Sequence, residues 1–180
     1  MSQKIFFVDI DDICALLTPV WLARYNRDYK DELMEDDLKD WGLWKYTKPE
    51  CGKKIYEYLN DPHIYDTVLP RAGSKEGVNN LRNLGFRVVF ATSTPMSTAG
   101  RKFFWLQKHG YHPETKDYVE CEDKSLLRGD YMFDDGFHNV YGFQGTGILL
   151  TRPWNQAELW HPRVKSWNML IMEMERRKDD

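Results

Sequence analysis

Acidic side chains form two tight groups in this sequence, Asp9-Ile10-Asp11-Asp12 and Asp134-Asp135, each directly after a short apolar run. A third apolar run is followed by three hydroxyl residues, Thr92-Ser93-Thr94, and a lone lysine, Lys124, sits in the charged loop Cys121-Glu122-Asp123-Lys124. Gathering Asp9, Asp11, Asp134 and Asp135 in one place is costly, since like charges about 4 Å apart repel by roughly 4 kcal/mol per pair at an effective dielectric of about 20. A cation must offset that repulsion. A site built only from oxygen ligands favours Mg²⁺, held by carboxylates together with waters and substrate phosphate. The hydroxyls of Thr92 and Ser93, beside backbone N–H groups leading into a helix, suit phosphate oxygens. Lys124 can offset charge on a transferring phosphoryl group. Together these parts imply phosphoryl transfer with Mg²⁺ as cofactor.

Such residues must be brought together by the elements that carry them. Ile5 to Ile10, Arg87 to Ala91, Tyr131 to Phe133 and Gly147 to Leu150 read as buried parallel strands. Ser74 to Leu84 has helical spacing at Val78, Leu81 and Leu84 with Gly85 as a stop, and Ala99 to His109 repeats the pattern before Gly110. Alternation of strand and helix predicts a Rossmann-like α/β fold with a mostly parallel sheet. Ligands of such sheets bind outside the carboxyl ends of the strands, which is where the acidic and hydroxyl groups stand. The roughly sixty residues before the Ser74 helix are too long for a loop. Thr18 to Tyr29 and Ile55 to Leu59 read as helices there, which predicts a helical cap over 17–69 inserted into a core of 1–16 and 70–180. Within it, Trp41 and Trp44 are candidates for stacking on a nucleobase, against the plainer role of filling the cap's core. Val164 to Arg177 has the spacing of a terminal helix that packs on the sheet, Trp105 and Trp167 read as core, and Glu173 to Asp180 reads as a solvated end.

Composition bounds the partners. With 180 residues, 42 % of them apolar and 14 % aromatic, the chain fits one folded domain with one insertion. A formal charge of -3 argues against duplex nucleic acid as the main partner. Cys14, Cys51 and Cys121 are odd in number and widely spaced, as for reduced thiols. The apolar run at the start is broken by Asp9, Asp11 and Asp12, so it is no signal peptide, and no window approaches a membrane span. A cytoplasmic protein is expected. The His109 and His112 pair is interrupted by Gly110 and does not suggest a Zn²⁺ site.

The ordered set resembles the four motifs of the haloacid dehalogenase-like phosphatases. The first is Phe6-Phe7-Val8-Asp9-Ile10-Asp11, the second Val88-Val89-Phe90-Ala91-Thr92-Ser93, the third Lys124, and the fourth Met132-Phe133-Asp134-Asp135. Within that superfamily Arg101-Lys102-Phe103-Phe104-Trp105-Leu106, Glu122-Asp123-Lys124-Ser125 and Lys165-Ser166-Trp167 look like segments of the 5'(3')-deoxyribonucleotidases. The resemblance implies Asp9 as nucleophile and Asp11 as general acid and then base. It further implies Mg²⁺ held by Asp134, the Asp9 carboxylate and the Asp11 main-chain carbonyl, with Asp135 as a ligand or supporting residue. Thr92, Ser93, Lys102 and Lys124 would bind phosphate, the substrate would be a nucleoside monophosphate, and a homodimer is implied. Three departures stand out. Asp12 occupies a position that is usually Gly, Thr94 adds a residue before Pro95 and leaves open which hydroxyls meet phosphate, and Gly136 stands where Arg is frequent. Rival readings are a phosphatase of the same class for another small metabolite or a polynucleotide 3'-phosphate end, and a catalytically silent phospholigand-binding protein.

Overall fold

The computed structural model describes residues 3–178, so the part of the expected solvated end formed by Asp179 and Asp180 lies outside the described residues. Six strands form one sheet: β1 (Ile5–Val8), β2 (Arg87–Thr92), β3 (Tyr118–Glu120), β4 (Tyr131–Asp134), β5 (Thr146–Leu150) and β6 (Arg163–Val164). Their order is β3-β2-β1-β4-β5-β6, and every neighbouring pair is parallel. The sheet is therefore parallel throughout, where the sequence predicted only a mostly parallel one. Helices cover both faces, which is why the strands read as continuous apolar runs. Phe6, Val8, Phe90 and Phe133 belong to the core on one face, while Phe7, Val89, Ala91 and Met132 pack with Phe143 on the other. The chain moves outward from β1 to β2 and β3, then returns to the far side with β4. That reversal opens a crevice beside the carboxyl end of β1.

The helices of this core are α2 (Ser74–Asn83), α3 (Arg101–Lys108), α4 (Phe137–Gly142) and α5 (Trp167–Lys178), and α1 (Leu17–Tyr29) precedes them in the chain. Trp167 begins α5 and is fully enclosed. Its ring meets Phe133 edge-on at 5.1 Å, and its Nε1 donates to the Ile13 carbonyl at 3.0 Å. Helix α2 lies against that ring, and Gly77 is what allows it: a Cβ there would stand 2.1 Å from the Trp167 ring.

Residues 17–69 hold α1 and short 3₁₀ helices at Glu35–Asp37, Leu43–Tyr46, Gly52–Asn60 and Ile64–Asp66. The helix expected over Ile55 to Leu59 is thus a 3₁₀ helix, with Ile55 its only buried side chain. This segment has its own apolar cluster of Trp21, Leu22, Tyr25, Leu38, Leu43 and Ile55, joined by Trp154 from the core. Trp21 Nε1 donates to the Ile55 carbonyl at 2.7 Å and ties α1 to the long 3₁₀ helix. The chain enters and leaves side by side: Leu16 N donates to Leu69 O at 2.9 Å and Arg71 N to Cys14 O at 2.7 Å. Among the described residues no helix is long and apolar enough to cross a membrane.

Candidate active site

Asp9 extends β1 by one more sheet bond, its N–H donating to the Phe133 carbonyl at 3.0 Å, and this brings the ends of β1 and β4 together. The turn that follows has Asp12 at φ +54°. That left-handed conformation favours Gly, and Asp is among the few residues that adopt it readily. Its buried carboxylate accepts from the Thr18 N–H at 3.1 Å and the Thr18 hydroxyl at 2.5 Å, satisfying an otherwise free donor at the start of α1. Arg71 Nε donates to the Asp12 carbonyl at 2.8 Å. The departure from Gly therefore keeps the turn and adds a link to the inserted segment.

Lys124 lies between the two acidic groups. Its Nζ donates to Asp9 Oδ1 and to Asp134 Oδ2, both at 2.6 Å. Asp123 fixes the loop that carries it, accepting from the N–H and hydroxyl of Ser125 at 3.0 and 2.6 Å. Asp134 Oδ1 also accepts from the Gly136 N–H at 2.8 Å and from Asn139 Nδ2 at 3.1 Å. The Asp135 carboxylate accepts from Trp154 Nε1 at 3.0 Å. One carboxylate oxygen from each of Asp9, Asp134 and Asp135 falls within 4.8 Å of the others, and all three residues are buried. Burial, with Asp134 and Asp11 nearby, pushes the Asp9 carboxyl up to about 7 despite the pull of Lys124. Burial and the neighbouring Asp134 push Asp135 well above the carboxylate range. Burial opposes the charge of Lys124, but Asp134 and Asp9 outweigh it and hold its ammonium above its usual value. Two carboxylates thus share one ammonium, with a third carboxylate beside them. That donor set and charge shortfall fit a hard divalent cation with oxygen ligands.

Asp11 stands apart from the trio. Lys102 Nζ donates to its Oδ2 at 2.6 Å, and the Tyr65 hydroxyl donates to its Oδ1. Lys102, in the first turn of α3, is buried and is not the surface lysine its position allowed. It also donates to Thr92 Oγ1 at 2.8 Å and to the Ser93 carbonyl. Thr92 therefore lies behind Lys102, while Ser93 and Thr94 reach the open space and Thr94 Oγ1 is buried without a partner.

That space is a cavity of about 490 Å³, with Asp9, Asp11, Lys124, Asp134 and Asp135 on the core side. Trp21, Trp41 and Tyr56 of the inserted segment line it, as does Trp154. Trp41 is 53 % exposed and meets His138 edge-on at 4.9 Å. Trp44 is not among the lining residues, and the ammonium of Lys53 sits 5.6 Å from its ring centre. Tyr56, Tyr65 and Trp154 went unread in the sequence. Tyr65 and Trp154 are lone aromatics in unremarkable stretches, Tyr56 sits beside Tyr58 in a stretch read only as a helix, and the tertiary fold alone brings them to the site.

A parallel sheet in this order, with an acid pair bridged by lysine at its switch point, defines a phosphatase of the haloacid dehalogenase-like class. Solved structures agree on the fold. A haloacid dehalogenase-like hydrolase from Streptococcus pneumoniae superposes with a TM-score of 0.66 at 10 % identity, covering 96 % of this chain and 98 % of that one. A hydrolase of the same class from Bacillus subtilis, bound to magnesium, gives 0.63 at 12 % identity, covering 97 % and 100 %. Residues 3–177 match the family described as "5' nucleotidase, deoxy (Pyrimidine), cytosolic type C protein", and the chain belongs to that family of nucleotidase-type phosphatases. The 5'(3')-deoxyribonucleotidase of Clostridium acetobutylicum is 29 % identical over 167 residues, 93 % of this chain and 92 % of that protein. That of Bacillus subtilis is also 29 % identical over 167 residues, covering 92 % and 95 %.

Proposed function

We propose that the chain is a Mg²⁺-dependent 5'(3')-deoxyribonucleotidase that works through an aspartyl-phosphate formed on Asp9. The observation that carries this reading is the Lys124 bridge, 2.6 Å to Asp9 and to Asp134, on the core side of the cavity. An Asp9 oxygen attacks phosphorus, and the nucleoside oxygen departs with a proton from Asp11. Water then attacks the acyl phosphate, Asp11 takes its proton, and phosphate leaves with the Asp9 carboxylate restored. Lys102 and Tyr65 hold both oxygens of Asp11 during these exchanges. Ser93, which is exposed on the cavity wall, offers its hydroxyl to the phosphate, and Lys124 offsets charge on its oxygens. Mg²⁺, held by the carboxylates of Asp9, Asp134 and Asp135 and the Asp11 carbonyl, would supply further positive charge to the phosphoryl group.

The nucleotide assignment draws on the relatives' names and on an aromatic wall suited to a base. Phosphate release with Mg²⁺ from deoxyribonucleoside 5'- and 3'-monophosphates, sugar phosphates and a 3'-phosphorylated oligonucleotide tests it. The deoxynucleotides should lead by at least about tenfold in kcat/KM, equivalent to about 1.4 kcal/mol. Faster turnover of a sugar phosphate or of the oligonucleotide end would remove the nucleotide assignment and leave the phosphatase.

A further inference from the structure

Trp154 sits just past the end of β5, in the 3₁₀ turn Pro153–Asn155, a position with no obvious part in phosphoryl transfer. Two sets of contacts meet on it. Its ring belongs to the apolar cluster of the inserted segment, with Trp21, Leu38 and Leu43, and meets Trp41 edge-on at 6.5 Å. The guanidinium of Arg152 lies 5.0 Å from the ring centre, and Arg152 pairs with Glu35 of the same segment. Trp154 is thus gripped by the segment through both apolar and charged contacts. Its one polar atom points the other way, Nε1 donating to Asp135 Oδ2 at 3.0 Å. Among the described residues this indole is the single hydrogen-bond donor to the Asp135 carboxylate.

The turn itself is fixed from below. Asn155 Nδ2 donates to the carbonyls of Asp135 and Leu150 at 2.9 and 2.7 Å, and Arg163 holds Asn155 Oδ1 at 3.0 Å. A buried carboxylate that joins a metal site needs a partner to set its orientation, and outer partners of this kind govern metal affinity. A ring that only filled the cluster would not need to direct its N–H at an acid.

We infer that Trp154 is a positioning residue: through Asp135 it links the packing of the 17–69 segment to the aim of a metal-holding carboxylate. This rests on the metal-dependent reading of the site above. Trp154→Phe keeps the ring and removes the donor. Mn²⁺ and Mg²⁺ binding measured by calorimetry should weaken about tenfold, and kcat should fall while KM for a deoxynucleotide moves less than about twofold. In an Asp135→Asn background the same substitution should add almost nothing, since both changes break one contact. Full additivity, or unchanged metal affinity in a folded Trp154→Phe protein, overturns the inference.

The wild-type protein supplies a second measurement that does not depend on the variant folding. The indole N–H resonance perturbed by Asp135→Asn should also shift when Mg²⁺ is added, and a resonance that stays still while Mg²⁺ binds overturns the link. Wild-type protein that binds no Mg²⁺ or Mn²⁺ overturns the metal-dependent reading and this inference with it. Intact wild-type binding with an indifferent Trp154→Phe overturns this inference alone.

Discussion

Under the proposed mechanism Asp9→Asn replaces the attacking carboxylate with an isosteric amide, so turnover should drop by about four orders of magnitude or more. The fold should persist, and circular dichroism beside a phosphate-release assay checks both. A second expectation concerns pH. The Asp9 carboxyl is pushed up from 3.8 to about 7 by burial and nearby acids, so between those values the metal-free fold holds a proton that the unfolded chain has released. That contribution to stability is present at low pH and is lost as pH rises through about 7. On the proposed Mg²⁺-dependent reading the metal would displace that proton, so the metal-induced rise in melting temperature should be larger at pH ~8 than at pH ~5.5. Equal shifts at both pH values would count against a titrating Asp9. The carboxylates were legible because each group follows an apolar strand, and Lys124 because it is a lone lysine in a charged loop between the second and fourth motifs. The partners of Asp11 and Asp135 were not, because Tyr65 and Trp154 reach them only through contacts 54 and 19 residues apart in the chain.

At the scale of elements, the four longer strands and helices α2, α3 and α5 follow from apolar spacing and Gly stops. Strand β3 was missed because Tyr118-Val119-Glu120 is a short edge strand with one aliphatic residue, and β6 because it has only two residues. Apart from Gly52–Asn60, part of which read as a helix, the 3₁₀ helices escaped notice for a related reason, being turns of three or four residues held by packing more than by a helical stripe. Gly77→Ala tests how closely these elements fit. The added methyl would meet the Trp167 ring, and overpacking of this sort should cost about 1–3 kcal/mol, read as a lower urea midpoint with an unchanged slope. Activity should suffer as well, since the displaced ring holds the Ile13 carbonyl in the loop after Asp9.

For the whole molecule, the segment over 17–69 stood out as excess length between two recognisable elements, but its mostly 3₁₀ character was not readable. Its separate apolar cluster leads to a prediction about cooperativity. Ile55→Ala truncates one of that cluster's two fully enclosed side chains, the other being Tyr25, and should cost about 2–5 kcal/mol. Hydrogen exchange should then accelerate across 17–69 while β2 stays protected, and uniform acceleration would mean that the two regions unfold as one unit.

The hydrogen bond from Trp167 to Ile13 spans 154 positions of the sequence. A ribosome therefore delivers every carboxylate and both lysines of the site well before it delivers the indole that steadies the loop beside them. The nascent chain carries the full chemical set while that loop still lacks its last support, so catalytic competence should arrive late, once the final helix has emerged and docked.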